Sequence, residues 1–431
     1  MATGDWIALA GFIALFAMIA LRVPIGVAMG LVGVFGFASI RGINPALNLL
    51  ATSPIRVIAD FNLSLVPFFI LMGIFATNSG MSRELFRAGN AWLGSFRGGL
   101  ALSTIAACAG FAAICGSTVA TAATMTKVAL PEMRRFGYRD ETATGVIAAG
   151  GTLGILIPPS VVLVVYGYIT ETDVGKLFIA GILPGILAMA MYMATVLIGH
   201  RKGLPEGRPF SGREAIASLS GIWAVILLFV AIIGAIYSGV ATPTEAAAVG
   251  AFLTMVIGIV RGRLNVRSII DSLTEALRTS VAVYTILIGA VLFGYFLAIT
   301  QSPQKLTAML IAFDLGPYGT LALILGLFVV AGCILDSMAM IILLVPIVFP
   351  VIVQLGFDPV WFGIIIVMTA ELGLITPPVG INVFVINTIA KDVKLTTIFK
   401  GVVPFIVSDL FRLAILVMFP GIVLLLPMTM K

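Results

Sequence analysis

Two short stretches carry the same potential chemistry. Gly154–Ser160 reads GILIPPS and Gly373–Val379 reads GLITPPV, and each sets a proline pair inside a long apolar run. A proline pair removes two backbone donors and frees carbonyls in the preceding turn. In hydrocarbon, each unmatched carbonyl costs several kcal/mol. A small hard cation such as sodium, which wants several oxygens and no soft ligand, satisfies them. The same interruption exposes the N-terminus of the following half-helix, which favours an anion. One break can therefore hold a cation on one side and a carboxylate on the other. A lone proline pair is more simply a kink answered by Ser, Thr or water. Two at matching places, each with a polar stretch nearby, favour the binding reading.

Other polar residues stand in apolar surroundings. Ser117, Thr118, Thr121, Thr124 and Thr126 cluster at and after CGST, Cys115–Thr118. Small hydroxyls serve close helix packing, ligand contact, or both. Asp336 lies in ILDS, Ile334–Ser337, either as a functional intramembrane acid or as the N-cap of a helix beginning at Ser337. Glu371 and Asp409 are expected as buried or interfacial partners of basic groups, and Arg412 can pair with Asp409 on one helix face. His200, the one histidine, stands with Arg201 and Lys202 and is expected at a membrane surface. A single histidine excludes HExxH zinc chemistry, and neither a phosphate-binding GxxxxGK[ST] loop nor a GxSxG elbow occurs, so the chain is not read as an enzyme. Cys108, Cys115 and Cys333 read as small packing residues.

These residues need elements to position them. The 431-residue chain is 60% hydrophobic and only 10% charged, too few charges for a soluble surface, so it is an all-α polytopic membrane protein. Its net charge of +6 is a topology signal, not a nucleic-acid footprint. The first apolar run, from Trp6, has no basic leader and reads as a retained span. Expected spans are Trp6–Leu21, Pro24–Ile40, Leu63–Asn78, Thr142–Ile169, Leu177–Gly199, Gly221–Tyr237, Thr244–Val260, Ser280–Ile299, Pro359–Ile389 and Val402–Leu426. Gly99–Leu130 and Thr320–Gln354 turn back at their polar middles and are expected as re-entrant helical hairpins. Arg83–Arg97 and Arg261–Arg278 are expected as amphipathic helices lying in the interface. This map puts eighteen Lys and Arg on one side, with Lys391, Lys394 and Lys400 among them. It puts Arg41, Arg56, Lys176, Lys305 and Lys431 on the other, and leaves Lys127 and Arg412 within segments. The richer side is cytoplasmic and both termini are external.

The halves 1–215 and 216–431 also match each other. Pro24 answers Pro243, Pro131 answers Pro350, Pro158 and Pro159 answer Pro377 and Pro378, and Gly181 and Pro184 answer Gly401 and Pro404. The offset drifts only from 217 to 220. Each half has five crossings besides its hairpin (99–130, 320–354), so the second is inverted. Inverted repeats with helices broken at corresponding places (142–169, 359–389) are the pattern of a secondary transporter, with its site at the repeat interface.

At these motifs the chain resembles the large membrane subunit of tripartite ATP-independent periplasmic (TRAP) transporters. The resemblance covers essentially the whole length and rests on Leu21–Gly30, Cys115–Thr124, Gly151–Gly167, Lys176–Leu187, Gly356–Gly363 and Leu372–Val385. It implies an elevator-type carrier, with a transport domain of about 99–200 plus 320–431 against a scaffold of about 1–80 plus 216–300. It implies sodium-driven uptake of an organic acid such as sialic acid, a C4-dicarboxylate, another sugar acid or ectoine across the bacterial inner membrane. It further implies a small membrane subunit of about four helices and a periplasmic substrate-binding protein. The resemblance places a first Na+ at Ala112, Cys115, Gly116, Gly154, Ile157 and Pro158, and a second at Gly332, Gly373, Thr376 and Val379. The family often has Ser where this chain has Ala112 and Cys115, so the first site leans on main-chain carbonyls. Substrate would sit near Ser117, Thr118, Pro159, Asp336, Pro378 and Asn382. The alternative is a stand-alone cation-coupled anion symporter or antiporter that needs no binding protein.

Overall fold

The computed structural model describes residues 3–199 and 204–430. His200, Arg201, Lys202 and Lys431 lie outside them. The first half runs α1 (Thr3–Ala20), α2 (Ile25–Arg41), α3 (Ile43–Ile58), a 3-10 turn (Phe61–Ser64), α4 (Leu65–Asn78), α5 (Met81–Leu93), α6 (Gly99–Cys115), α7 (Thr118–Arg135), α8 (Asp140–Leu156), α9 (Val161–Thr170) and α10 (Val174–Gly199). The second runs α11 (Gly212–Tyr237), α12 (Pro243–Val260), α13 (Val266–Thr300), α14 (Ser302–Ala312), α15 (Gly316–Gly332), α16 (Ser337–Gln354), α17 (Pro359–Ile375), α18 (Ile381–Ile389), α19 (Leu395–Met418) and α20 (Gly421–Met428). No strand occurs among the described residues. Seven helices there are long and apolar enough to cross a membrane, and the pair α8–α9, bent by 41°, makes an eighth.

The order hairpin, broken helix, long helix occurs twice. Helices α6 and α7 double back at Gly116, whose φ of +60° suits a residue without Cβ. Helices α15 and α16 also double back: Tyr318, at the start of one, packs its ring 5.6 Å from that of Phe357, just past the end of the other. The breaks fall at Ile157–Ser160 and Thr376–Gly380, and the peptide bonds Pro158–Pro159 and Pro377–Pro378 are cis. The charges group as the pattern predicts. Arg134, ending α7, meets Asp140 and Asp392 at 2.7 Å each; Arg261 meets Glu84 at 2.6 Å; Arg208 reaches the Asn90 carbonyl at 3.1 Å. At the opposite end, Lys305 pairs with Asp5 and Arg56 donates to the Tyr295 hydroxyl at 3.0 Å.

Four elements differ from expectation. Arg261–Arg278 is not a separate interfacial helix: from Val266 onward it is the first part of α13, a single helix of 35 residues. The switch from charged to apolar at Ser280 is a change of surroundings, and no Gly or Pro there interrupts the backbone hydrogen bonds. The expected span Val402–Leu426 stops at Phe419–Pro420 and resumes as α20. Helices α3 and α14 were not foreseen. In α3 only Ala46, Ser53 and Val57 are buried, one stripe of an otherwise exposed helix. Together α3 and α4 occupy in the first half the place of α13 in the second. Their joint is residues 59–64, where Asp60 caps the 3-10 turn by accepting from the Asn62 N–H at 2.8 Å.

Candidate functional site

The breaks take from several carbonyls the donors that an unbroken helix would supply. In an unbroken α8, Gly154 and Ile155 would accept from residues 158 and 159, which are prolines. In α17, Gly373 and Leu374 face Pro377 and Pro378 in the same way, and Gly373 keeps only a stretched 3.3 Å bond from the Thr376 N–H. The Thr376 hydroxyl donates to the Leu372 carbonyl at 2.5 Å, which leaves its oxygen lone pairs free to accept. Each break touches the tip of its own hairpin, backbone to backbone. A Cβ added at Gly116 would stand 2.5 Å from the Pro159 carbonyl oxygen, and one at Gly154 would stand 2.7 Å from that of Ser117. In the second half a Cβ at Gly373 would stand 2.5 Å from the Gly332 carbonyl carbon. Among the described residues no group of three or more His, Cys, Asp or Glu side chains could hold a metal. The oxygens present are main-chain carbonyls and the Thr376 hydroxyl, a hard donor set that fits an alkali cation and not a transition metal.

The two tips share one cavity of about 490 Å³. Cys115–Ala120 of the first hairpin and Asp336–Met338 of the second line it, with Ile155 and Leu374 from the last turns of α8 and α17. Helices α4 and α13 close the other side, through Thr77, Asn78, Glu275 and Thr279. Asn78 and Glu275 belong to the arginine-rich end. Ser117 caps α7 by accepting from the Ala120 N–H at 3.3 Å, and Asp336 caps α16 by accepting from the Met338 N–H at 3.2 Å. The first residue of each returning helix, Thr118 and Ser337, is buried and its hydroxyl has no hydrogen-bond partner. A larger cavity of about 940 Å³ lies at the other end, lined by Arg56, Asp60, Tyr168 and Tyr295. It contains none of the candidate sodium or substrate residues.

The structure thus brings Ser117, Thr118 and Asp336 together at the cavity. Pro159 lies behind Gly116, buried against the tip. Pro378 is exposed and does not line the cavity. Asn382 is buried against α8, donating to the Ala148 carbonyl at 3.2 Å, so it joins the two broken helices to each other. Ala112 accepts the capping N–H of Gly116 at 3.1 Å. Sequence reasoning passed over Ser337, Glu275 and Thr279. The 219-residue offset from Thr118 was the available signal for Ser337.

A buried polar network stands beside both breaks. Arg412 lies 3.1 Å from Glu371 and 3.0 Å from Asp409, and all three are buried. The Asp409 pairing is the one its spacing predicts. Tyr192 donates to Asp409 at 2.9 Å and lies 3.0 Å from the Thr152 hydroxyl, with the Arg412 guanidinium 5.4 Å from its ring.

Comparison with known proteins gives this geometry its place. Residues 12–422 match the family model "Tripartite ATP-independent periplasmic transporter, DctM component". The chain is 38% identical to the C4-dicarboxylate TRAP transporter large permease protein DctM of Pseudomonas aeruginosa, over 90% of this chain and 93% of that one. It is 34% identical to the sialic acid TRAP transporter large permease protein SiaM of Vibrio cholerae, over 88% and 90%. In fold it resembles the YdaH transporter of Alcanivorax borkumensis, with a TM-score of 0.60 at 15% identity over 88% of this chain and 89% of that one. The chain therefore belongs to the DctM family of TRAP transporters and is a large permease subunit, a multi-pass protein of the bacterial inner membrane.

Proposed function

We propose that this subunit imports an organic acid with sodium ions, receiving the acid from a periplasmic binding protein and working beside a small membrane subunit of about four helices. The single observation that supports this most is the contact of each hairpin tip with a helix break whose carbonyls face prolines. Sodium is held at Ala112, Cys115, Gly116, Gly154, Ile157 and Pro158 in one half, and at Gly332, Gly373, Thr376 and Val379 in the other. The acid occupies the cavity between the tips, beside Ser117, Thr118 and Asp336. Residues of about 99–200 and 320–431 move as the transport domain against a scaffold of about 1–80 and 216–300. The subunit is a carrier and not an enzyme.

Charge explains why cations are needed. An inside-negative membrane expels a lone anion. Two sodium ions entering with a monoanion move one net charge inward, which at about 100 mV supplies about 2.3 kcal/mol, roughly 50-fold accumulation. The deciding experiment is uptake into proteoliposomes holding both membrane subunits, with binding protein added outside and sodium and candidate acids varied. Uptake that needs a sodium gradient and the binding protein is the expected result. Uptake indifferent to sodium sinks the cation reading; uptake without the binding protein establishes the stand-alone symporter.

A further inference from the structure

The two tips are built on one plan and differ in charge. Ser117 and Asp336 are equivalent positions, 219 residues apart, and both cap the returning helix. Thr118 and Ser337, the next residues, are equivalent too, and each is a buried hydroxyl without a partner at the cavity wall. The cap is neutral at the first tip and anionic at the second. A neutral cap leaves the positive end of an 18-residue helix available to an anion. An aspartate cap neutralises that end, and its exposed carboxylate faces the same cavity and can only accept. Among the described residues no Lys or Arg lines the cavity, while Glu275 adds a second carboxylate from α13. On the first hairpin the stripe Ala120, Ala123, Thr124 of α7 continues one turn on to Lys127, which is exposed and outside the cavity lining.

Resting on the organic-acid reading above, we propose that the substrate is polar end to end. It is an acid with one carboxylate, held at the first tip by Thr118 and the α7 N-terminus, and a hydroxyl or ammonium donor at its other end, held by Asp336. A second ionised carboxylate at that end meets the Asp336 carboxylate, so a dicarboxylate fits this cavity poorly. Asp336 is then the residue that sets specificity, and Ser337 is the hydroxyl that helps fix the donor end.

The test uses the purified complex of both membrane subunits in sodium chloride, without binding protein, so that delivery does not select the ligand. Thermal stabilisation is titrated with succinate, 4-hydroxybutyrate, 4-aminobutyrate and N-acetylneuraminate. The first three share a four-carbon chain and differ at one end. Donor-bearing acids are expected to bind at least 10-fold more tightly than succinate. Asp336→Ser keeps an N-cap and copies the first tip, so it should reverse the order of succinate and 4-hydroxybutyrate. Thr118→Val should weaken every acid about 10-fold and leave the order unchanged. If wild type binds succinate as tightly as its donor-bearing counterparts, or if Asp336→Ser leaves the order unchanged while the complex still melts cooperatively, the proposal fails and the importer reading stands. If Asp336→Ser does not fold, Asp336→Asn replaces it with the same expected direction. If none of the four acids stabilises wild type, the organic-acid reading fails and the proposal with it.

Discussion

Glu371 occupies in the second half the place that Thr152 occupies in the first, and the two share one network. Thr152 contacts Tyr192 at 3.0 Å, and Glu371 contacts Arg412, the residue equivalent to Tyr192, at 3.1 Å. One pair is neutral and the other ionic. Each lies two residues ahead of a glycine at its own break, Gly154 or Gly373.

That inequality predicts unequal costs. Arg412→Leu leaves two buried carboxylates without their cation and should cost about 3–5 kcal/mol. Thr152→Val removes one neutral hydrogen bond and should cost about 0.5–1.5 kcal/mol. Melting curves of the purified complex measure both. Equal losses would show that the charged pair carries no special load.

Glycine substitutions separate contact from flexibility. Gly373→Ala sets a methyl 2.5 Å from the backbone of Gly332, and either the hairpin or the break must shift. Overpacking of this kind should cost about 1–3 kcal/mol, with sodium-dependent uptake reduced at least as strongly as stability. Gly326→Ala, in the same hairpin but with open space around it, should be neutral or mildly stabilising, because alanine is the better helix former.

Sodium half-saturation should respond to oxygen count. Thr376→Ala removes a hydroxyl beside the second break and should raise the half-saturating sodium concentration about 10-fold, about 1.4 kcal/mol. Ala112→Ser adds an oxygen beside the first tip and should lower it several-fold. Uptake against sodium concentration, at saturating acid, reads both; a change in acid affinity alone would point to the substrate pocket instead.

Acid should loosen one junction first. The Arg134 guanidinium holds the Asp392 carboxyl below the usual carboxylate range, where it ties the end of α7 to the segment after α18. A depressed carboxyl contributes stability above its unfolded-state value and loses it as pH falls through the folded one. Hydrogen exchange around residues 390–394 should therefore be flat from neutral pH down to the ordinary carboxylate range, after correction for intrinsic rates, and rise below it. Asp392→Asn should show the raised level at every pH.

The hairpins and breaks were legible because their signals are local. Cys115–Thr118 and Ile334–Ser337 interrupt apolar runs, and the proline pairs cannot be helix interior; the tips fall where those residues do. The end of a helix is harder to read than its interruption. Arg278, Thr279 and Ser280 look like a boundary, yet hydrogen bonding continues through them because backbone geometry is indifferent to solvent. Partners across helices were the least legible. The spacing of Asp409 and Arg412 foretells their pairing, whereas Glu371 reaches the same guanidinium from another helix, and only packing decides which faces meet. Asn382 shows the same limit: its type suits a ligand, but its amide is spent on the Ala148 carbonyl.

Helix α13 extends about 52 Å at 1.5 Å per residue, well beyond a hydrocarbon layer of about 30 Å. Its counterpart, α3 with α4, is cut in two by residues 59–64. One half of the molecule is thus braced by a solid strut and the other by an elbow. A sideways load is absorbed by bending at the elbow, while the strut must distort its own hydrogen bonds to yield. Although the halves descend from one pattern, they are not mechanically interchangeable, and any swing of one against the other has a built-in stiff side.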